Sequence, residues 1–194
     1  FSWWERFLLG EKTGVDLPGE GVGFLPSIEW KEKFSGTPWL LGDTYNVAIG
    51  QGDLSLTPIR LGAYIASIAN GGKMYRPYVS STLEPKVQTD FSEYAEEIKV
   101  VQEGMRMTVT SDLGTAKPLQ SLPFTSAGKT GSAQIQNNAK ENAFFVGYAP
   151  YENPEVVIVV LVEDAVQGSL NAVPVGRDVL AWWGEHKDDV KEEE

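Results

Sequence analysis

Thr125-Ser126-Ala127-Gly128-Lys129-Thr130-Gly131-Ser132-Ala133-Gln134 is the stretch on which the reading of this chain turns. It opens a region where the apolar period changes from 3.6 to 2, and three strands are predicted there, over about 124–136, 143–149 and 155–163. Phe144, Val146 and Tyr148 alternate in the second, and Asn153-Pro154 makes the turn to the third. Val156–Val162 is apolar at every position, which predicts a strand covered on both faces. In the first strand, alternation puts Thr130, Ser132 and Gln134 on one face, a row of hydrogen-bonding groups along a strand edge. Gly131 leaves no side chain between the two hydroxyls, so a peptide backbone could lie close and bind by strand addition. Lys129 adds a positive charge beside that row, suited to a carboxylate. The same residues also fit an ordinary core strand whose lysine reaches out to solvent.

Upstream, the pattern is helical. Residues 1–9 read as the end of a helix with Trp3, Trp4, Phe7 and Leu8 on one side and Gly10 at its C-cap. Residues 10–56 hold nine Gly and three Pro and read as a long loop, either functional or wrapped over another part of the fold. Thr57-Pro58 opens a helix with Leu61, Tyr64, Ile65 and Ile68 on one stripe, and Asn70-Gly71-Gly72 stops it. A short strand is predicted over Met74–Val79. A second helix is predicted over 92–110, capped by Ser92, with Ala95, Ile98, Val101, Met105 and Val109 buried. The last helix, about 174–186, starts at Pro174 and carries Val175, Val179, Trp182 and Trp183 as its apolar stripe. Strands joined by short turns pair antiparallel, so the expected fold is α/β, an antiparallel sheet flanked by helices.

Composition excludes several chemistries. The chain has 194 residues, 42% apolar and 22% charged, enough for a packed core. It has no cysteine and one histidine, His186, which rules out thiolate sites and multi-histidine metal sites within it. A net charge of −11 argues against nucleic-acid binding. Its longest aliphatic run, Val156–Val162, is too short to cross a bilayer. His186 reads as a solvated partner of a helix C-terminus. Glu163-Asp164 reads as a turn, and the Trp pairs as packing. Residues 187–194, two Lys against five acids, read as an acidic tail.

Lys129-Thr130-Gly131 resembles the K-T-G motif of penicillin-binding proteins and serine β-lactamases, whose other elements are S-x-x-K and S-x-N. Gly10-Glu11-Lys12-Thr13-Gly14-Val15-Asp16-Leu17-Pro18-Gly19-Glu20 is similar to the loop after S-x-N in class B penicillin-binding transpeptidases. Gly42-Asp43-Thr44, Ile49-Gly50-Gln51-Gly52, Leu56-Thr57-Pro58, Ile68-Ala69-Asn70-Gly71-Gly72, Gly104-Met105-Arg106 and Gly114-Thr115-Ala116 follow in that family's order. The likeness is greatest to the elongation-type, cell-shape branch known as penicillin-binding protein 2. The earlier copy, Lys12-Thr13-Gly14, leads into a turn, with no strand to hold its lysine in a cleft.

The resemblance implies that residues 1–186 are the C-terminal part of one transpeptidase domain of the serine β-lactamase-like fold, with three of its strands. It implies that Lys129, Thr130 and Ser132 bind a substrate carboxylate, that Lys129 also acts catalytically, and that the Ser132 backbone N–H is half of an oxyanion hole. Gly131 and Gln134 would border the substrate. The strand would form one wall of a cleft. The only literal S-x-x-K, Ser126 to Lys129, overlaps the site motif on a strand, and the only literal S-x-N, Ser169-Leu170-Asn171, comes too late. The nucleophile and its lysine are therefore expected upstream of Phe1, as are further strands. The implied substrate is the D-Ala-D-Ala end of a peptidoglycan stem peptide, with β-lactams as competitors and no metal or organic cofactor. The implied setting is the outer face of the cell membrane, beside a membrane glycosyltransferase. A β-lactam sensor, a β-lactamase, or a non-catalytic fragment needing its other half would share most of these features.

Overall fold

The computed structural model describes residues 2–135, 140–165 and 169–191. Phe1, the end of the predicted first strand at 136, and the last three tail residues lie outside them. The chain divides into two compact units, Phe1–Tyr64 with Tyr75–Thr89, and Ile65–Met74 with Asp90–Glu194.

In the first unit, helix α1 spans Ser2–Arg6. It ends earlier than the Gly10 cap predicts, because Leu8 turns out of it at a left-handed φ of 53° and delivers Leu9 to a buried position. The predicted loop over 10–56 contains two further helices, α2 (Ile28–Ser35) and α3 (Leu41–Ala48). Both ends of α2 are capped: Ser27 Oγ accepts from the Trp30 N–H at 3.1 Å, and Gly36 adopts φ 64°. No residue of α2 is buried, so no apolar stripe announces it. Asp43 accepts from the Leu40 N–H at 2.7 Å and pairs with Lys31.

The segment before α2 is strapped down. Thr13 is fully buried, and its N–H and hydroxyl both donate to Glu20 Oε1, at 2.5 and 2.6 Å. Gly14 N–H donates to Glu20 Oε2 at 3.0 Å. Burial raises the Glu20 pKa, but the Thr13 and Gly14 donors outweigh it and hold the carboxyl below its usual range. Arg60, also fully buried, donates to Lys12 O at 2.5 Å, Glu11 O at 3.3 Å and Gln88 Oε1 at 3.3 Å. Gln88 in turn donates to Thr13 O at 2.8 Å. The first Lys-Thr-Gly copy is thus a braced loop with its threonine hydroxyl engaged inside the fold.

Helix α4 (Pro58–Ala69) has the predicted bounds, and Thr57 Oγ1 accepts from the Arg60 N–H at 3.3 Å. The predicted strand over Met74–Val79 shortens to β1 (Lys73–Tyr75), which pairs with β2 (Val87–Asp90), a strand too short and polar to show a period.

In the second unit, Ser92 is not the predicted helix cap: its N–H and hydroxyl both donate to Asp90 Oδ1, and the helix that follows has no side-chain cap at its N-terminus. One 3₁₀ turn, Ser92–Tyr94, leads into α5 (Ala95–Thr110). Ile98, Met105 and Val109 are buried as predicted, whereas Ala95 and Val101 are exposed.

The sheet consists of β3 (Ala127–Ile135), β4 (Lys140–Ala149) and β5 (Val156–Val162), antiparallel in that order. Helix α6 (Ser169–Lys191) packs on it. It starts before Pro174, which lies inside the helix. Ala172 and Val173 are buried at 0% and 2% exposure, and covering them offsets the backbone bond proline cannot make. The buried stripe is not the predicted one. Val175, Val179 and Trp182 are about half exposed, while Ala172, Val173 and Leu180 face the core and Trp183 packs edge-on against Phe124. The cause is Gly176, where a Cβ would lie 2.5 Å from Phe145 Cδ1. Only its missing side chain lets α6 sit this close to the sheet. Strand β5 is covered mainly on one face: Ile158 and Val160 are buried, but Leu161 is exposed, contrary to the prediction of two covered faces. Among the described residues, no helix is long and apolar enough to cross a membrane.

Candidate functional site

The site strand is an edge strand. β3 pairs with β4 over nine residue positions, Ala127↔Tyr148 to Ile135↔Lys140, and no described strand lies against its other edge. An unpaired edge is what a peptide needs in order to add as a further strand.

Register assigns the side chains. Thr130 lies opposite Phe145 and Ser132 opposite Ala143, so both sit on the face of β4 that carries the core. Thr130 is 8% exposed, and its hydroxyl lies 2.7 Å from that of Thr115. Ser132 and Gln134 are exposed further along the strand. The predicted row is present, but graded from the nearly buried Thr130 hydroxyl to the exposed Ser132 hydroxyl and Gln134 amide. Lys129 lies on the opposite face, across from Val146. It is exposed, and its ammonium donates to Thr130 O at 2.7 Å. That bond lays the positive charge along its own strand.

The glycines separate two purposes. At Gly131, a Cβ would meet only Phe144 Cβ at 3.6 Å, an ordinary contact, so nothing described here requires glycine at this position. At Gly128, a Cβ would fall 2.7 Å from both the Phe145 ring and Val146 O. Gly147 and Gly176 abut the same ring, so glycines from β3, β4 and α6 enclose Phe145, and Phe145 sets the backbone facing Thr130.

Thr115 is the residue that sequence reasoning did not place. It lies in the connection after α5, where Ala116 N–H donates to Thr108 O at 3.0 Å and Gly114 N–H to Ser111 O at 2.9 Å. Its only signal was the Gly-Thr-Ala motif; strand periodicity cannot pair a loop hydroxyl with a strand. Arg106 is the second. It donates to Ser126 O at 2.6 Å, anchoring the residue that leads into β3, and lies over the Tyr151 ring. Tyr148 is fully buried, and burial pushes its phenol well above the usual range, so it stays protonated and is no base.

A cavity of about 490 Å³ opens in this unit, lined by residues including Arg106, Gln120, Phe124 and Thr125. It lies at the N-terminal end of β3 and includes none of the predicted site residues, which stand on the open edge. A cleft needs two walls, and the described residues of this unit supply one beside Thr130 and Ser132. Ser126 to Lys129 runs into and along β3 and cannot form a helical serine–lysine pair. Ser169 and Asn171 lie in α6, in helical backbone at the far end of the chain from the motif. His186 Nδ1 is 2.8 Å from Trp182 O, with its ring stacked on Trp182, a helix-surface arrangement. No group of three His, Cys, Asp or Glu able to hold a metal occurs among the described residues.

Comparison with known proteins identifies the family. The chain is 31% identical to the peptidoglycan D,D-transpeptidase MrdA of Haemophilus influenzae, over 94% of this chain and 32% of that protein. Penicillin-binding protein 2 of Helicobacter pylori, in its complex with MreC, superposes with a TM-score of 0.82 at 31% identity, over 95% of this chain and 34% of that one. A component of a peptidoglycan synthase complex that coordinates polymerization and crosslinking superposes at 0.78 with 32% identity, over 93% of this chain and 32% of that one. The chain thus spans about a third of the length of the curated relatives it matches. Residues 1–181 match the model of the penicillin-binding protein transpeptidase domain, and the chain belongs to that family.

Proposed function

We propose that this chain supplies the substrate-binding strand of a peptidoglycan D,D-transpeptidase, within a longer polypeptide that brings the nucleophile. The observation that carries the reading is the placement of Lys129-Thr130-Gly131-Ser132 on the open edge of an antiparallel sheet, in a chain of this family. In this reading residues 1–186 are the C-terminal part of one transpeptidase domain, and 187–194 are an acidic tail.

The substrate is the D-Ala-D-Ala end of a stem peptide. Its backbone adds along β3, with Gly131 leaving room for it and Gln134 bordering it. Its carboxylate takes the hydroxyls of Thr130 and Ser132 and the charge of Lys129, whose ammonium swings from Thr130 O to the anion. A serine from another part of the polypeptide attacks the penultimate carbonyl. The oxyanion is held by the Ser132 N–H and the nucleophile's own N–H, two donors aimed where charge develops. The C–N bond then breaks, and D-alanine leaves with a proton. The amine of a second stem attacks the acyl-serine, forming the cross-link and restoring the serine hydroxyl. β-Lactams enter by the same contacts and remain as the acyl-enzyme. The protein acts at the outer face of the cytoplasmic membrane, with partners of the kind its relatives have, MreC and a peptidoglycan polymerase.

Intact-mass measurement after incubation with benzylpenicillin tests this. The polypeptide of residues 1–194 alone should gain no covalent mass. The full-length protein should gain one adduct, on a serine outside these residues. An adduct on any serine within 1–194 overturns the assignment.

A further inference from the structure

We propose that Thr115 is a positioning residue for the substrate carboxylate: its hydroxyl donates to Thr130, and so leaves the single Thr130 proton free for the anion. The inference rests on the reading above that Thr130 binds a carboxylate.

The geometry is a hydroxyl pair at 2.7 Å, and either oxygen can be the donor. Each hydroxyl has one proton and two acceptor sites. If Thr130 donates to Thr115, its oxygen can offer a carboxylate only lone pairs, which repel it. If Thr115 donates, Thr130 keeps its proton for the anion, and the bond it receives polarises it into a stronger donor. An arriving carboxylate therefore selects the second arrangement.

The pair is held from both sides. Thr115 stands between Gly114, where a Cβ would lie 2.4 Å from Thr108 O, and Ala116, which is fully buried and bonded to Thr108 O. Thr130 stands opposite Phe145, whose ring is enclosed by Gly128, Gly147 and Gly176. Neither backbone can drift, so the oxygen–oxygen distance is built in. Thr115 itself is exposed. Removing its hydroxyl opens no core cavity; it takes a partner from the nearly buried Thr130 hydroxyl, and the acid-against-ester comparison separates that structural cost from the role proposed.

The test uses the full-length protein and the second-order rate constant for acylation, k2/K, measured with benzylpenicillin and with its methyl ester, which lacks the anion. Thr115→Val should lower k2/K for benzylpenicillin roughly three- to tenfold, the usual effect of one lost hydrogen bond. It should leave the ester rate within about twofold, because no anion calls on the Thr130 proton. Thr115→Ser should restore the wild-type rate on the acid. If Thr130→Val is impaired on the acid but Thr115→Val is not, the Thr115 role is wrong and the site stands. Equal loss on acid and ester in Thr115→Val means a structural role, and also defeats the proposal. If Thr130→Val and wild type do not differ on the acid, the carboxylate site itself is wrong.

Discussion

Gly176→Ala in α6 is expected to destabilise the sheet, against the helix preference of alanine, and Phe145 is the reason. The new methyl carbon would stand 2.5 Å from Phe145 Cδ1 and 2.7 Å from Cε1, where ordinary contact begins near 3.4 Å. The ring would have to retreat by about 1 Å, comparable to the overlaps that make overpacked cores costly. It has nowhere to go, because the positions where side chains would stand on Gly128 and Gly147 are 2.7 and 2.9 Å from the same ring. Overpacking of this kind costs about 1–3 kcal/mol, and overlap this deep belongs in the upper half of that range. Alanine returns about 1 kcal/mol of helix propensity, so the net loss is about 1–2 kcal/mol. Urea unfolding, with a slope of about 2 kcal/mol/M, should show the midpoint lowered by about 0.5–1 M. The decisive control is Phe145→Leu. In that background the ring is gone, and Gly176→Ala should raise the midpoint through propensity alone. A raised midpoint in the wild-type background, or the same drop in both, would refute the enclosure argument. Since Thr130 faces Phe145 across the ladder, the same substitution should weaken β-lactam acylation of the full-length protein.

Three further outcomes are expected. Gly114→Ala places a Cβ 2.4 Å from Thr108 O, a backbone atom; it should cost about 1–3 kcal/mol and speed hydrogen exchange at the Ala116 N–H, and native protection there would count against it. Arg60→Met leaves Lys12 O and Glu11 O without their buried donor; it should cost about 2–4 kcal/mol and open residues 10–20 to limited proteolysis, and wild-type resistance would contradict the strap. The Glu20 carboxyl is held below its usual value when folded, so its contribution is present above an unfolded pKa near 4.5 and is lost as pH falls through the folded value. Glu20→Gln should therefore flatten the acid limb of stability below about pH 5, and an unchanged limb would show that another group controls it.

Wherever local chemistry and period decide, the sequence alone was enough. Thr57-Pro58 and Asn70-Gly71-Gly72 bound α4 because capping and helix breaking act within a turn. The three strands follow from a period of two and short turns, and Lys129-Thr130-Gly131 with its neighbours shows the family. Helix α2 was read as loop: its caps, Ser27 and Gly36, are single residues, and since none of its residues is buried no stripe marks it.

Contacts distant in sequence were decided only by the tertiary structure. The α6 sequence offers two apolar faces, and Gly176 selects one, because only there can the helix meet the Phe145 ring. Strand alternation could place Thr130 on a face but could not say that the face is the core's or that Thr115 would meet its hydroxyl. The two Lys-Thr-Gly copies were already told apart in sequence, since the first leads into a turn and the second into a strand. What packing added is that Glu20 and Arg60 close the first copy, while no described strand pairs with the free side of the strand that carries the second.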